Sequence, residues 1–72
     1  MDINKKMELF AETLEMEADE LNEDTLLEDL DAWDSLARLL LITTMDTHFH
    51  KTLTADDMSS FRTVKDVLNC MG

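Results

Sequence analysis

Proline is absent from this 72-residue sequence, which also contains one glycine, one cysteine and no tyrosine. The scarcity of helix-breaking residues favours helical structure. Cys70 has no partner for an internal disulfide, fits a reducing compartment and is interpreted as a dispensable thiol. No apolar run approaches the roughly 18 residues that span a bilayer, and the N-terminus lacks the apolar segment of a secretory signal. We therefore expect a cytoplasmic protein that does not enter membranes.

Basic residues are also few, with six Lys and Arg against seventeen Asp and Glu, for a net charge of −11. This balance argues against binding to nucleic acid or to anionic membrane surfaces, and it favours basic partner proteins. Residues 1–34 carry the whole net negative charge, whereas the positive and negative charges of residues 35–72 cancel. The length predicts a single domain over residues 1–72 that is too small to hold both a substrate pocket and a catalytic apparatus. We therefore do not expect an enzyme, and we assign no catalytic residue.

Apolar residues recur at helical spacings of three and four along most of the chain. The predicted elements are helix 1 over residues 3–16, helix 2 over 36–48, a short helix 3 capped by Thr54, and helix 4 over 64–71 capped by Thr63. No strand pattern or internal repeat is present. The predicted fold is therefore all-α, a small four-helix bundle with a long loop between helices 1 and 2.

The loop over residues 17–33 is acidic, and connections of this length in compact domains often serve function. Apolar residues recur through it, which predicts that it is held against the core. They are Leu21, Leu27, Leu30 and Trp33. Asp34 or Ser35 then supplies the oxygen that caps helix 2.

The segment Asp34-Ser35-Leu36, after an acidic loop and at the start of an amphipathic helix, resembles the attachment motif of acyl carrier proteins. The likeness continues through an apolar helix 2, Leu53 at the position of the family's usual isoleucine, and the run 61–64 that opens the last helix. The resemblance covers almost the whole chain and implies the four-helix acyl-carrier fold.

In such proteins the serine hydroxyl carries a 4′-phosphopantetheine arm, transferred from coenzyme A by a separate phosphopantetheinyl transferase with Mg²⁺. The arm's thiol then holds acyl groups as thioesters. Ser35 is the matching residue, and Asp34 matches the neighbour that helps to dock the transferase. A helix N-terminus suits a phosphate, although the residues alone are also compatible with a simple cap at Ser35 and a dipole-stabilised carboxylate at Asp34.

The sequence departs from the family's pattern beside the serine, because Ala32 replaces the usual glycine and Trp33 follows it. Trp33 either plugs the loop into the core or contacts a partner. In carriers of fatty-acid synthesis, partner enzymes recognise acidic residues along this helix. Helix 2 of this sequence lacks most of them, and Ala37 and Leu40 occupy two of those positions. Partner contacts are therefore expected at Leu36, Leu40, Ala37 and Trp33.

Helical periodicity assigns the two faces of helix 2. The predicted core arc consists of Leu39, Ile42, Met45 and Phe49, with Leu41 at its edge. Leu36 and Leu40 lie on the opposite side, where two exposed leucines form an apolar docking spot. The alternative is that the acidic loop covers Leu40.

His48 and His50 point to different sides of a helix and have no nearby third ligand, so no metal site is expected. The sequence thus predicts a free-standing, monomeric acyl carrier protein that serves as a shuttle. Its expected partners are the transferase and the acyl-loading and acyl-using enzymes of fatty-acid, polyketide or related biosynthesis. The alternatives are a peptidyl or aminoacyl carrier of a non-ribosomal pathway and an unmodified helical interaction module.

Overall fold

The structure, a computed structural model, describes residues 2–71. Its helices are α1 (Ile3–Leu14), α2 (Ser35–Phe49), α3 (Ala55–Ser60) and α4 (Val64–Cys70), with short 3₁₀ turns at Ala18–Glu20 and Leu27–Asp29. No strand occurs in the described residues, which contain one isolated antiparallel bridge between Leu26 and Thr63. The predicted all-α fold of four helices, with a short third helix, is confirmed.

Local capping chemistry sets the ends of the helices. The side chains of Thr54 and Thr63 accept hydrogen bonds from the amides three residues later, so both predicted caps are confirmed. Helix α1 ends two residues earlier than predicted, because Glu15 takes a left-handed conformation with φ 58° and turns the chain. His50, with φ 53°, ends α2 in the same way one residue later than expected. Neither position is a glycine, so each end carries a local conformational cost.

The core gathers side chains from α1, α2 and α4. Its largest fully buried members are Phe10, Leu41, Met45, Val64, Val67, Leu68 and Met71. Helix α1 lies against α2, where the Thr13 and Thr44 hydroxyls approach to 3.4 Å and Thr13 also donates to the Leu9 carbonyl. Buried polar groups are thereby satisfied at the contact between the two longest helices.

The buried face of α2 differs from the predicted arc. Its fully buried residues are Ala37, Leu41 and Met45, spaced by four, while Leu39 is exposed. Ile42 and Phe49 are half-buried at the border of the core. The prediction was wrong at Leu39. Residues 39–42 are all apolar and point to every side of the helix, so periodicity alone does not select the buried face.

The loop between α1 and α2 is pinned to the core, as predicted. Leu21 and Leu27 are buried, and Leu30 and Trp33 pack against the core from its edge. Backbone hydrogen bonds also join the loop to the start of α4. They run from the Leu27 amide to the Arg62 carbonyl (2.9 Å), from Val64 to Thr25 (3.0 Å) and from Lys65 to Glu23 (2.9 Å).

Candidate functional site

Asp34 provides the N-cap of α2. Its Oδ1 accepts a hydrogen bond of 2.9 Å from the Ala37 amide, and its own backbone is extended. The sequence left the cap open between Asp34 and Ser35, and the structure assigns it to Asp34. A carboxylate at this position also interacts favourably with the positive end of the helix dipole.

Ser35 is the first residue of α2, and its side chain is exposed. Within residues 2–71, no hydrogen bond engages its hydroxyl, because Asp34 has taken the capping role. The free amides of the first helical turn lie beside this hydroxyl and favour an anion there. The site therefore presents an accessible nucleophilic oxygen next to a position that suits a phosphate.

Trp33 holds the end of the loop against α1. Its ring meets the ring of buried Phe10 at a centroid distance of 5.7 Å and an interplanar angle of 62°. The Arg38 guanidinium carbon also lies 5.7 Å from the indole centroid. The half-buried tryptophan thus serves as the loop plug considered from the sequence.

Three leucines on α2 are exposed next to Ser35. Leu36 is 65% exposed, Leu39 is 62% exposed and Leu40 is 40% exposed. The predicted exposure of Leu36 and Leu40 agrees with the structure, so the loop does not cover Leu40. Leu39 extends this apolar patch, and sequence reasoning missed it because it assigned Leu39 to the core. We call these three residues the leucine patch.

Ala37 does not belong to the surface beside Ser35. It is only 4% exposed and packs in the core with Leu41. The expectation that Ala37 contacts partners is therefore wrong. Its small side chain faces inward because Ala37, Leu41 and Met45 follow one another at four-residue intervals along the face that meets the core.

The remaining sequence candidates form no site. Within residues 2–71, no group of three His, Cys, Asp or Glu side chains is arranged to hold a metal ion. Cys70 is half-buried at the end of α4, and its carbonyl oxygen accepts a hydrogen bond of 2.8 Å from Lys51 Nζ. None of the helices in the described part of the chain has the length and apolar character that a bilayer crossing requires.

Two arginine side chains that share a groove were not singled out from the sequence. Arg38 on α2 and Arg62 before α4 line one open groove of about 320 Å³, together with Trp33 and Phe61. The only signal in the sequence was the scarcity of basic residues, of which this groove holds two. Their convergence depends on the pairing of the loop with the start of α4.

Comparison with known proteins gives a match over nearly the whole chain. Residues 7–71 match the family model described as a phosphopantetheine attachment site. No significant match was found among curated proteins or solved structures. The matched span contains α2, the leucine patch and the groove, so all the site residues described above lie inside it.

Proposed function

The chain belongs to the phosphopantetheine attachment-site family, and from this premise we propose that Ser35 is the attachment residue of an acyl carrier protein. The cofactor of this family is a covalently attached 4′-phosphopantetheine, and its members are carriers. The arm supplies a terminal thiol that holds acyl groups as thioesters. The proposed cargo donors and acceptors are enzymes of fatty-acid, polyketide or related biosynthesis.

One observation carries the assignment of Ser35: its hydroxyl is exposed and uncommitted at the start of α2, since Asp34 caps the helix. A serine that capped its own helix would have its capping oxygen substituted upon modification. Here the two tasks fall on neighbouring residues. The oxygen of Ser35 can form an ester with phosphate without loss of the hydrogen bond between Asp34 and Ala37.

Asp34 has a second proposed role toward the phosphopantetheinyl transferase. Its carboxylate is exposed even though one oxygen accepts the Ala37 amide. A carboxylate has two oxygens with several acceptor positions, so capping leaves acceptors free for a basic residue or Mg²⁺ of the transferase. Asp34 is therefore a docking residue that also fixes the start of α2.

The leucine patch is the proposed docking surface for acyl-loading and acyl-using enzymes. Three leucines with exposed fractions between 40% and 65% lie within the first two turns after Ser35. Apolar surface that is concentrated beside a reactive group favours a partner with an apolar contact surface, because removal of both surfaces from water is favourable. Trp33 precedes the same serine by two residues and is half-buried, so it is included in the proposed contact region.

Intact mass spectrometry tests the proposal. The full chain is incubated with coenzyme A, Mg²⁺ and a phosphopantetheinyl transferase, and we expect the mass of one phosphopantetheine to be added and mapped to Ser35. Ser35→Ala should abolish the addition, whereas Ser59→Ala, a change at an exposed serine on α3, should not.

Two outcomes would contradict the assignment: no addition, as an unmodified interaction module would give, or an addition that survives Ser35→Ala. The cargo class requires a second step, in which the modified protein is offered to acyl-activating and to amino-acid-adenylating enzymes. Loading by the acyl-activating enzymes alone supports the acyl carrier. Loading by the adenylating enzymes alone would instead show a peptidyl or aminoacyl carrier.

A further inference from the structure

Two hollows of about 220 Å³ each open between α1 and α2, and we call them together the α1–α2 seam. The first hollow is lined by Asp34 and Leu36, which are the two neighbours of Ser35 in the chain. The second hollow continues along the same two helices, and Thr13 and Leu40 line both. The seam therefore begins directly beside the proposed attachment residue.

The seam is acidic along the side that α1 contributes and at the cap of α2. Its carboxylates belong to Glu12, Glu15 and Asp34, all of which are exposed. Among the described residues that line the two hollows there is no lysine or arginine, and His48 is the one histidine. With His48 neutral, these three carboxylates give the seam a charge of −3.

A lysine near the second hollow does not offset this charge. Lys5 and Glu8 line a shallower hollow farther along α1, together with Glu12 and His48. Lys5 Nζ lies 3.9 Å from the Glu8 carboxylate, and this is the only ion pair within 4.0 Å in residues 2–71. Lys5 and Glu8 therefore offset one another, and the three carboxylates of the seam keep their charge for an external cation.

Helix α2 contributes the apolar side of the seam. Leu36 lines the first hollow and Leu40 lines both, and both leucines are exposed. The helix contains one acidic residue, Asp46, and one arginine, Arg38, and neither of them lines the seam. Acidic recognition residues, which the resemblance to acyl carriers led us to seek on helix 2, thus lie on α1 and at the cap, opposite the leucines of α2.

The size and rigidity of the seam favour a protein as its ligand. Hollows of about 220 Å³ are smaller than the usual sites for small molecules and suit single side chains that serve as interface anchors. Their walls are already fixed, because the Thr13 and Thr44 hydroxyls lie 3.4 Å apart and Asp34 accepts the Ala37 amide. A preformed surface loses little conformational entropy when a partner binds.

We propose that the α1–α2 seam is the docking surface for the phosphopantetheinyl transferase, whose basic residues pair with Glu12, Glu15 and Asp34 while an apolar side chain enters the hollows beside Leu40. This inference rests on the proposed function, because the transferase acts on Ser35. Like charges at one edge of the serine also steer a basic surface toward it.

The position of the first hollow favours the transferase over other partners. Its lining includes both neighbours of Ser35, so an enzyme that reaches the Ser35 oxygen itself must cover it. An enzyme that acts on the thiol works at the far end of the arm and has no need to cover these residues. Helix α1 is therefore a recognition element for the step that attaches the arm.

Transfer kinetics of charge variants test the electrostatic part. Intact mass gives the kcat and KM of arm transfer to the full chain, with coenzyme A, Mg²⁺ and the transferase. The double variant Glu12→Gln with Glu15→Gln should raise KM about five-fold with little change in kcat, as the loss of two exposed ion pairs allows. High salt should lower the kcat/KM of the unsubstituted chain more than that of this variant.

The matched control is the double variant Glu23→Gln with Glu28→Gln. It removes the same charge from two exposed positions before Ser35 that lie outside the seam. Its KM should stay close to that of the unsubstituted chain. An equal rise in KM for the two double variants would show that only the overall charge matters, and it would overturn the inference.

A pair of leucine variants tests the apolar part. Leu40→Asn should raise KM several-fold, because Leu40 lines both hollows. Leu26→Asn is the control, since Leu26 lies outside the seam and is exposed to almost the same degree, 42% against 40%. Equal KM values for the two variants would contradict a contact of the transferase with Leu40.

A direct map of the interface does not depend on turnover. The transferase is added to the ¹⁵N-labelled Ser35→Ala chain, which docks without being modified, and two-dimensional ¹H–¹⁵N NMR follows the backbone amides. We expect shifts or line broadening at Glu12 and Thr13 of α1 as well as at Leu40. Changes confined to α2 would exclude α1 from the interface.

Failure of this inference is distinguishable from failure of the proposed function. If the unsubstituted chain acquires no arm, both are wrong. If it acquires the arm at Ser35 and the Glu12 and Glu15 double variant keeps the KM of the unsubstituted chain, only the inference is overturned. All substituted side chains are exposed, so we expect the variants to fold, and circular dichroism of each verifies this.

Discussion

The ring of Trp33 meets the ring of Phe10 edge to face, with centroids 5.7 Å apart. Phe10 is fully buried on α1, so the residue two positions before Ser35 is fixed by the core of the bundle. This contact adds to the burial of Leu21 and Leu27, which also holds the acidic loop against the core. The aromatic contact therefore links the packing of the fold to the geometry of the proposed attachment site.

Trp33→Ala should destabilise the chain by about 2 kcal/mol, because it removes an aromatic pair and part of a large apolar side chain from the edge of the core. For a domain of this size that loss corresponds to a decrease in Tm of roughly 10 °C. Thermal unfolding followed by circular dichroism measures the change. Leu36→Ala, at an exposed position, is the matched control, and equal melting temperatures for the two variants would contradict the inferred packing.

Substitutions at Asp34 separate its two roles. Asp34→Ala should cost about 1 kcal/mol of stability, because the Ala37 amide loses its acceptor, whereas Asp34→Asn retains a capping oxygen and most of that stability. If the charge docks the transferase, both variants should lower the kcat/KM of arm transfer several-fold. Urea unfolding and transfer kinetics are measured on the same samples. Normal transfer to Asp34→Asn would show that the carboxylate acts only as a cap.

Charged substitutions in the leucine patch test partner docking. Leu36→Glu, Leu39→Glu and Leu40→Glu should each lower the kcat/KM of the cognate acyl-loading enzyme about ten-fold, which is the effect of a residue at an interface centre. Stability should change little, because all three side chains are exposed. Ile3→Glu, an exposed apolar position on α1, is the control. Unchanged loading of the Leu40→Glu variant would exclude that residue from the interface.

The capping box of α4 predicts a pH dependence. Hydrogen bonds from the backbone amides of Arg62 and Thr63, in that order of effect, hold the pKa of Asp66 below its ordinary value of 3.8. The ionised carboxylate therefore stabilises the folded chain above that value, and this stabilisation is lost as the pH falls through the lower folded-state pKa. Asp66→Asn should lower the urea midpoint at about pH 6, and the difference from the unmodified sequence should shrink by about pH 3.

Asp56→Asn is the matched control for that experiment. Asp56 is exposed in the first turn of α3 and takes no part in either capping box. Its substitution should leave the difference in urea midpoint nearly constant over the same pH range. A difference between Asp66→Asn and the unmodified chain that did not vary with pH would show that the charge of Asp66 does not contribute to stability.

Local chemistry made much of the fold predictable. Thr54 and Thr63 mark the starts of α3 and α4 in the sequence, because a hydroxyl residue followed three residues later by an acidic residue forms a reciprocal cap. The end of α1 was less predictable, since Glu15 has no intrinsic preference for the left-handed conformation that ends the helix there. In the structure, the Glu15 and Met16 amides close the end of the helix with hydrogen bonds to carbonyl oxygens of its last turns.

The proposed site shows the same division. Exposure of Leu36 and Leu40 followed from helical geometry, but Leu39 did not, because a nearly continuous apolar run allows several buried faces. The contact of Arg38 with Trp33 joins a helix to the loop before it, where no periodic pattern applies. Phe61 and Arg62 reach the groove from about 25 positions farther along the chain, and the backbone pairing between the loop and the start of α4 brings the two segments together.

That pairing has a consequence for the opening of the molecule. The amides of Leu27, Val64 and Lys65 donate hydrogen bonds that join the loop to the start of α4. Neither segment therefore separates from the other without the loss of these hydrogen bonds. The loop and the final helix should therefore open as one cooperative unit. In native-state hydrogen exchange the three amides should exchange with a common opening free energy, higher than that of the exposed end of the loop at Asp31.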